Sequence, residues 1–86
     1  MAGRRTEPFK VVGARLAALR NRHGLTQRAL GDRIGQPHTY VGKLEIAERR
    51  LDILDVATLA DAFAMSPAEL TTYLLAAADA AEPKTQ

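Results

Sequence analysis

Reactive side chains are scarce in this sequence, and binding ones are abundant. It holds one serine, Ser66, two histidines, His23 and His38, and no cysteine, against twelve lysines and arginines. Nucleophilic catalysis needs a hydroxyl or thiol beside a base and an orienting group. Ser66 instead opens Ser66-Pro67-Ala68-Glu69, the pattern of a helix cap, and the two histidines fall in different expected elements with no carboxylate set to orient either. Two histidines make a poor metal site, and the lack of cysteine excludes disulfides and Cys-containing zinc sites. An enzyme is therefore not expected, nor any cofactor or metal.

The charges point to a different chemistry. Residues 1–50 carry eleven Lys/Arg and four Asp/Glu, or +7, whereas residues 51–86 carry one and six, or −5, giving the net +2. Lysine and arginine attract phosphates and carboxylates repel them, so this split suits a molecule with one face built for a polyanion and another kept off it. Residues 1–8, with Arg4 and Arg5, read as a flexible basic arm, residues 9–80 as one folded domain, and residues 81–86 as a disordered tail. No apolar run approaches 18 residues, and the N-terminus lacks the apolar stretch of a secretory signal. A cytoplasmic protein without membrane contact is expected.

The elements that would position these groups are helical. Sixteen alanines and eleven leucines outweigh four valines and three isoleucines, and no segment sustains period-two alternation. Helix 1 is expected from Phe9 to Arg22, with Val12, Leu16 and Leu19 on one face and Gly24 as its stop. Helix 2 follows Thr26 as N-cap and places Leu30 and Ile34 one turn apart before Gly35, which suits a left-handed C-terminal residue. Helix 3 begins near Pro37, in its first turn, buries Val41 and Leu44, and ends near Ile46. Helix 4 follows Asp52 with Leu54, Leu59 and Phe63 inward, and helix 5 starts at the Ser66 capping box. On helix 5, Leu70, Tyr73, Leu74 and Ala77 form a stripe at i, i+3, i+4 and i+7, part of it expected to pack on the core and the remainder the candidate surface for a homodimer. A chain this short builds a small core, which self-association can supplement.

Helices 2 and 3 are too short to be stable separately, so their worth lies in packing at a steep angle as a helix-turn-helix. Gly31 leaves room for close approach, Gly35 makes the turn, and Val41 and Leu44 lock helix 3 down. The runs Gly24-Leu25-Thr26-Gln27, Leu30-Gly31-Asp32-Arg33-Ile34-Gly35, Tyr40-Val41-Gly42-Lys43-Leu44-Glu45 and Glu48-Arg49-Arg50 resemble the Cro/repressor-type (XRE-like) helix-turn-helix family over about residues 10–70.

That resemblance implies an all-α, five-helix bundle of the lambda-repressor-like DNA-binding type, and a sequence-specific regulator, a repressor, binding an inverted-repeat operator in double-stranded DNA as a dimer. Helix 3 would enter the major groove, with His38, Thr39, Gly42 and Lys43 facing the base edges. Lys43 could donate to guanine, Thr39 hydrogen-bond or offer a methyl, and His38 donate or accept, whereas Gly42 departs from relatives that carry a reading side chain. Gln27 matches the residue that clamps a phosphate, with Tyr40, Arg49, Arg50, Arg4 and Arg5 as further phosphate contacts. Arg20 and Glu45 match a structural ion pair tying helix 1 to the end of helix 3. The alternative is a protein-interaction module such as an antitoxin, which neutralises a partner and binds DNA secondarily.

Overall fold

The computed structural model describes residues 2–81, with the side chains of residues 8–76. Its helices are α1 (Ala2–Arg22), α2 (Gln27–Ile34), α3 (His38–Glu45), α4 (Ile53–Ala62) and α5 (Pro67–Ala81). The first four each end one or two residues before a residue with positive φ. Gly24 and Gly35, at +70° and +71°, are the two expected stops; Ala47 and Ala64, at +63° and +58°, do the same work without glycine. In this conformation the next N–H turns back onto a free helix carbonyl, Gln36 onto Gly31 at 2.8 Å, Glu48 onto Lys43 at 2.9 Å and Met65 onto Ala60 at 2.8 Å. An alanine held there costs about 1 kcal/mol in backbone strain, which the surrounding packing must offset.

The starts are fixed by side chains. Thr26 accepts from the N–H of Ala29 at 2.9 Å, Asp52 and Asp55 form a reciprocal capping box, and Ser66 and Glu69 form another. Pro37 lies one residue outside α3 as its N-cap, in extended conformation at ψ 158°, rather than in the first turn as the sequence reading had it. The first helix also departs from expectation. It begins at Ala2 instead of Phe9 and crosses Pro8, forgoing one backbone bond to the Arg4 carbonyl, because proline has no N–H.

One residue from each helix meets at the centre. Leu16, Leu30, Val41, Leu59 and Leu70 are at most 1% exposed, and Leu19, Leu44, Ala60, Phe63 and Leu74 close around them. Each such side chain contributes roughly 1.5 to 3 kcal/mol by leaving water. Helix α5 packs against α1 and α4, while α3 packs against α2 and α1. A Cβ on Gly13 would lie 2.7 Å from the Leu44 carbonyl oxygen and closer still to that of Glu45, so α1 meets the end of α3 backbone to backbone. Gly31 is similarly enclosed, by the Gln36 carbonyl and Pro37 of the turn.

Two expected placements are overturned by this packing. Leu54 is 73% exposed, since the Asp52 cap sets a register in which Val56, Leu59, Ala60 and Phe63 face inward and Leu54 falls on the opposite side. Leu70 and Leu74, placed in the dimer stripe, are 0% and 3% exposed: the protomer's own core consumes them, leaving them no surface for a second copy. Tyr73 is half-buried beneath the guanidinium of Arg15, 3.9 Å from the ring centre, and the side chain of Ala77 lies outside the described residues. No described helix is long and apolar enough to cross a membrane.

Candidate nucleic-acid interface

The inner side of α3 is anchored before its outer side is available to anything. Glu45, only 8% exposed, accepts from Arg20 through Nε at 2.6 Å and Nη2 at 3.1 Å, and from Gln27 Nε2 at 3.0 Å. The Arg20 fork also donates Nη1 to the Leu25 carbonyl at 2.8 Å, so one guanidinium joins α1, the loop before α2 and the end of α3. The hydrogen bond to Glu45 holds the Arg20 guanidinium above its ordinary pKa against the opposing effect of burial. Such a pair, the one expected from sequence, is structural: its charges are spent inside the protein.

Gln27 shares in that anchor. Its amide lies along Gly42, 3.5 Å from where a Cβ would stand. A Cβ there would meet the amide at ordinary contact distance, so α2 packs on α3 through the Gln27 side chain. Gly42 presents no side chain toward a ligand.

The outer side of α3 is free. His38, Thr39 and Lys43 are exposed, two of them one helical turn apart on one face. An open, mainly polar groove runs beside this face, lined by Pro37, Thr39, Tyr40 and Lys43 from α3 and its cap and by Glu48, Arg49 and Arg50 from the following loop. The loop is brought there by the carbonyl of Lys43, which accepts the N–H groups of Glu48 at 2.9 Å and Arg49 at 3.2 Å.

A second set of contacts fixes Arg49 within the groove. The Tyr40 hydroxyl donates to Asp55 Oδ1, Arg49 lies over the Tyr40 ring at 4.7 Å, and its Nη2 stands 3.8 Å from Asp55 Oδ2. Burial first, and then the bond to Asp55, push the Tyr40 hydroxyl above its ordinary pKa. Asp55 thus serves α4 as cap and the groove as positioner. Sequence reasoning missed it, because a cap pattern is local whereas its link to Tyr40 spans 15 residues. Glu48 was missed as well: it brings a carboxylate to a groove otherwise edged by cations. Arg50 stacks on Phe9 at 4.4 Å. The structure therefore gathers Thr39, Tyr40, Lys43, Arg49 and Arg50 along one groove, keeps His38 exposed on the same helix, and turns Gln27 partly inward. The side chains of Arg4 and Arg5 lie outside the described residues.

Among known proteins, the helix-turn-helix domain family matches residues 11–72. An uncharacterized HTH-type transcriptional regulator, y4dJ of Sinorhizobium fredii, is 36% identical over 63 residues, covering 73% of this chain and 82% of the relative. The restriction-modification controller protein C.AhdI from Aeromonas hydrophila superposes with a TM-score of 0.67 at 34% identity, covering 72% of this chain and 90% of that one. An XRE-family like protein from Pseudomonas syringae pv. tomato gives 0.72 at 29% identity over 87% and 92% of the two chains. The clp gene regulator ClgR from C. glutamicum, at 0.74 and 21% identity over 90% and 96%, shares the fold. With the α2–turn–α3 unit and its exposed outer face already in place, these matches settle the family: the chain is an XRE-type helix-turn-helix protein, a DNA-binding transcriptional regulator.

Proposed function

We propose that the chain represses transcription by binding an inverted-repeat operator as a two-fold dimer, with α3 in the major groove. The observation that carries this reading is the open groove in which Thr39 and Lys43 stand beside Tyr40, Arg49 and Arg50. A base-reading edge flanked by phosphate-binding groups suits a duplex, whose backbone phosphates border each major groove. Lys43, Thr39 and His38 read bases; Arg49, Arg50 and Tyr40 set the register on the backbone, helped by Gln27 and, from the N-terminal segment, Arg4 and Arg5. Gly42 reads nothing itself.

The dimer surface moves from the expected stripe to apolar residues that the core leaves open. Ile53 and Leu54, 82% and 73% exposed at the start of α4, are large, adjacent and without a role in the protomer. A two-fold dimer that sets two α3 helices in successive major grooves reads half-sites about 10 bp apart. Selection from a random DNA library tests the whole reading. An inverted repeat with that spacing supports it; no enrichment over bulk DNA defeats it and favours a protein partner instead. Sedimentation of an Ile53→Lys, Leu54→Lys variant tests the surface, since loss of dimer with an intact fold is expected.

A further inference from the structure

Arg49 and Arg50 line two grooves at once. One is the polar groove beside α3; the other is an apolar groove of about 190 Å³ on the far side of the same loop, between α1, α4 and α5. Its walls are Phe9 and Val12, Leu44, Leu51 and Val56, and Leu74 with the half-exposed Leu75. An apolar cavity of about 150 Å³ is enough to hold a benzene-sized molecule, so this groove has room for about six carbon atoms. At its mouth Arg50 has no carboxylate partner among the described residues and rests on the Phe9 ring, while Arg49 is already paired with Asp55.

Apolar walls with an uncommitted guanidinium at the rim match one class of ligand. We infer that this groove binds a small amphiphilic carboxylate, its hydrocarbon against Val12, Leu51, Val56 and Leu75 and its head group on Arg50. The inference rests on the DNA-binding reading in one respect, the consequence of occupancy. A carboxylate on Arg50 neutralises a cation that the polar groove offers to phosphate. The ligand therefore acts as an inducer, lowering DNA affinity without touching the reading face. A carboxylate forms a bidentate, charge-assisted pair with a guanidinium, whereas an alcohol of the same length gains only the apolar contact, and this difference defines the site.

The experiment uses the full chain with hexanoate as probe and hexanol as its uncharged counterpart, followed by methyl and amide NMR shifts. Saturable shifts with hexanoate in the millimolar range are expected at Val12, Leu51, Val56 and Leu75. Arg50→Gln should weaken hexanoate about fivefold, the size of one exposed charge pair, and leave hexanol unchanged. Thr71→Phe, a change at an exposed position on the groove wall, should block both. Absence of saturable shifts in the folded chain overturns the site, as do shifts that follow protein concentration instead of probe, which would mean a second copy occupies the groove. On DNA selected for the chain, hexanoate should lower the affinity of the parent and not of Thr71→Phe. Unchanged DNA affinity at saturating hexanoate overturns the inducer role. A chain that takes hexanoate in the groove yet binds no DNA overturns the DNA-binding reading and supports the groove as a ligand site.

Discussion

Two arginines grip carboxylates on opposite sides of α3, and the pairs do opposite work. Arg20 and Glu45 are nearly out of solvent, their side chains 12% and 6% exposed, in a bidentate arrangement completed by Gln27 and the Leu25 carbonyl. Arg49 stays 45% exposed beside Asp55 at 3.8 Å, with a Tyr40 ring beneath it. The first pair has traded its charge for a fixed joint between α1 and α3. The second restrains an arginine without satisfying it, so that its guanidinium remains available to an anion. One chemistry thus gives scaffold or interface according to how many donors and acceptors are left over.

The sharpest way to break the contrast is to delete the inner carboxylate. Glu45→Ala leaves the Arg20 guanidinium short of its main partner in a nearly dry site, and should destabilise the fold by about 3 kcal/mol, read as a lower urea midpoint at constant slope. A loss below about 1 kcal/mol would mean the joint is ornamental. Next, Asp55→Ala keeps the Asp52 cap but removes the return bond of the capping box, which Asp55 accepts from the Asp52 N–H, together with the Tyr40 bond; about 1 to 2 kcal/mol of stability should go, from the sum of those two losses. Arg49→Ala should barely alter melting but flatten the dependence of log DNA affinity on log salt by about one unit, the share of one neutralised phosphate. Arg20→Ala should leave that slope alone, and equal slopes for the two variants would erase the distinction drawn above.

The smallest effect is in pH. Tyr40 holds its proton more firmly folded than unfolded, because burial and Asp55 favour the neutral hydroxyl. The stability this confers is complete below the free tyrosine value of about 10 and is lost as pH rises through the folded value. Tyr40→Phe should therefore lose less stability than the parent on going from pH 9 to about 11. Parallel curves would show that neither burial nor the bond to Asp55 strengthens the hold on this proton in the folded chain.

What the sequence made legible were features with local chemical signatures. Thr26 and Ser66 announce helix starts because their side chains bond N–H groups three residues on, and Gly24 and Gly35 announce ends because glycine suits positive φ. Ala47 and Ala64 end helices in the same conformation and send no such signal, since alanine is also the best helix former. The ion pair of Arg20 with Glu45 followed from family resemblance, because nothing local joins residues 25 positions apart. Helix 5 was legible only in part. Periodicity shows that Leu70 and Leu74 share a face, but not whether a protomer or a partner covers it, and α1 and α4 had already done so. The groove was legible residue by residue in Thr39, Lys43, Arg49 and Arg50, whereas Asp55, which ties them to α4, was not.

The lodging of Gln27 against Gly42 also limits how the recognition helix can evolve. A methyl at position 42 meets the amide at ordinary contact distance, so alanine is admissible there and brings about 1 kcal/mol of added helix preference. Any longer side chain must compete with Gln27 for the same space, and Gln27 is one of the donors on Glu45. A mutation that gained a base contact at 42 would therefore be felt at the joint between α1 and α3. On the proposed reading, new base preferences come at little structural cost through positions 38, 39 and 43, while position 42 can be recruited only together with a compensating change at 27.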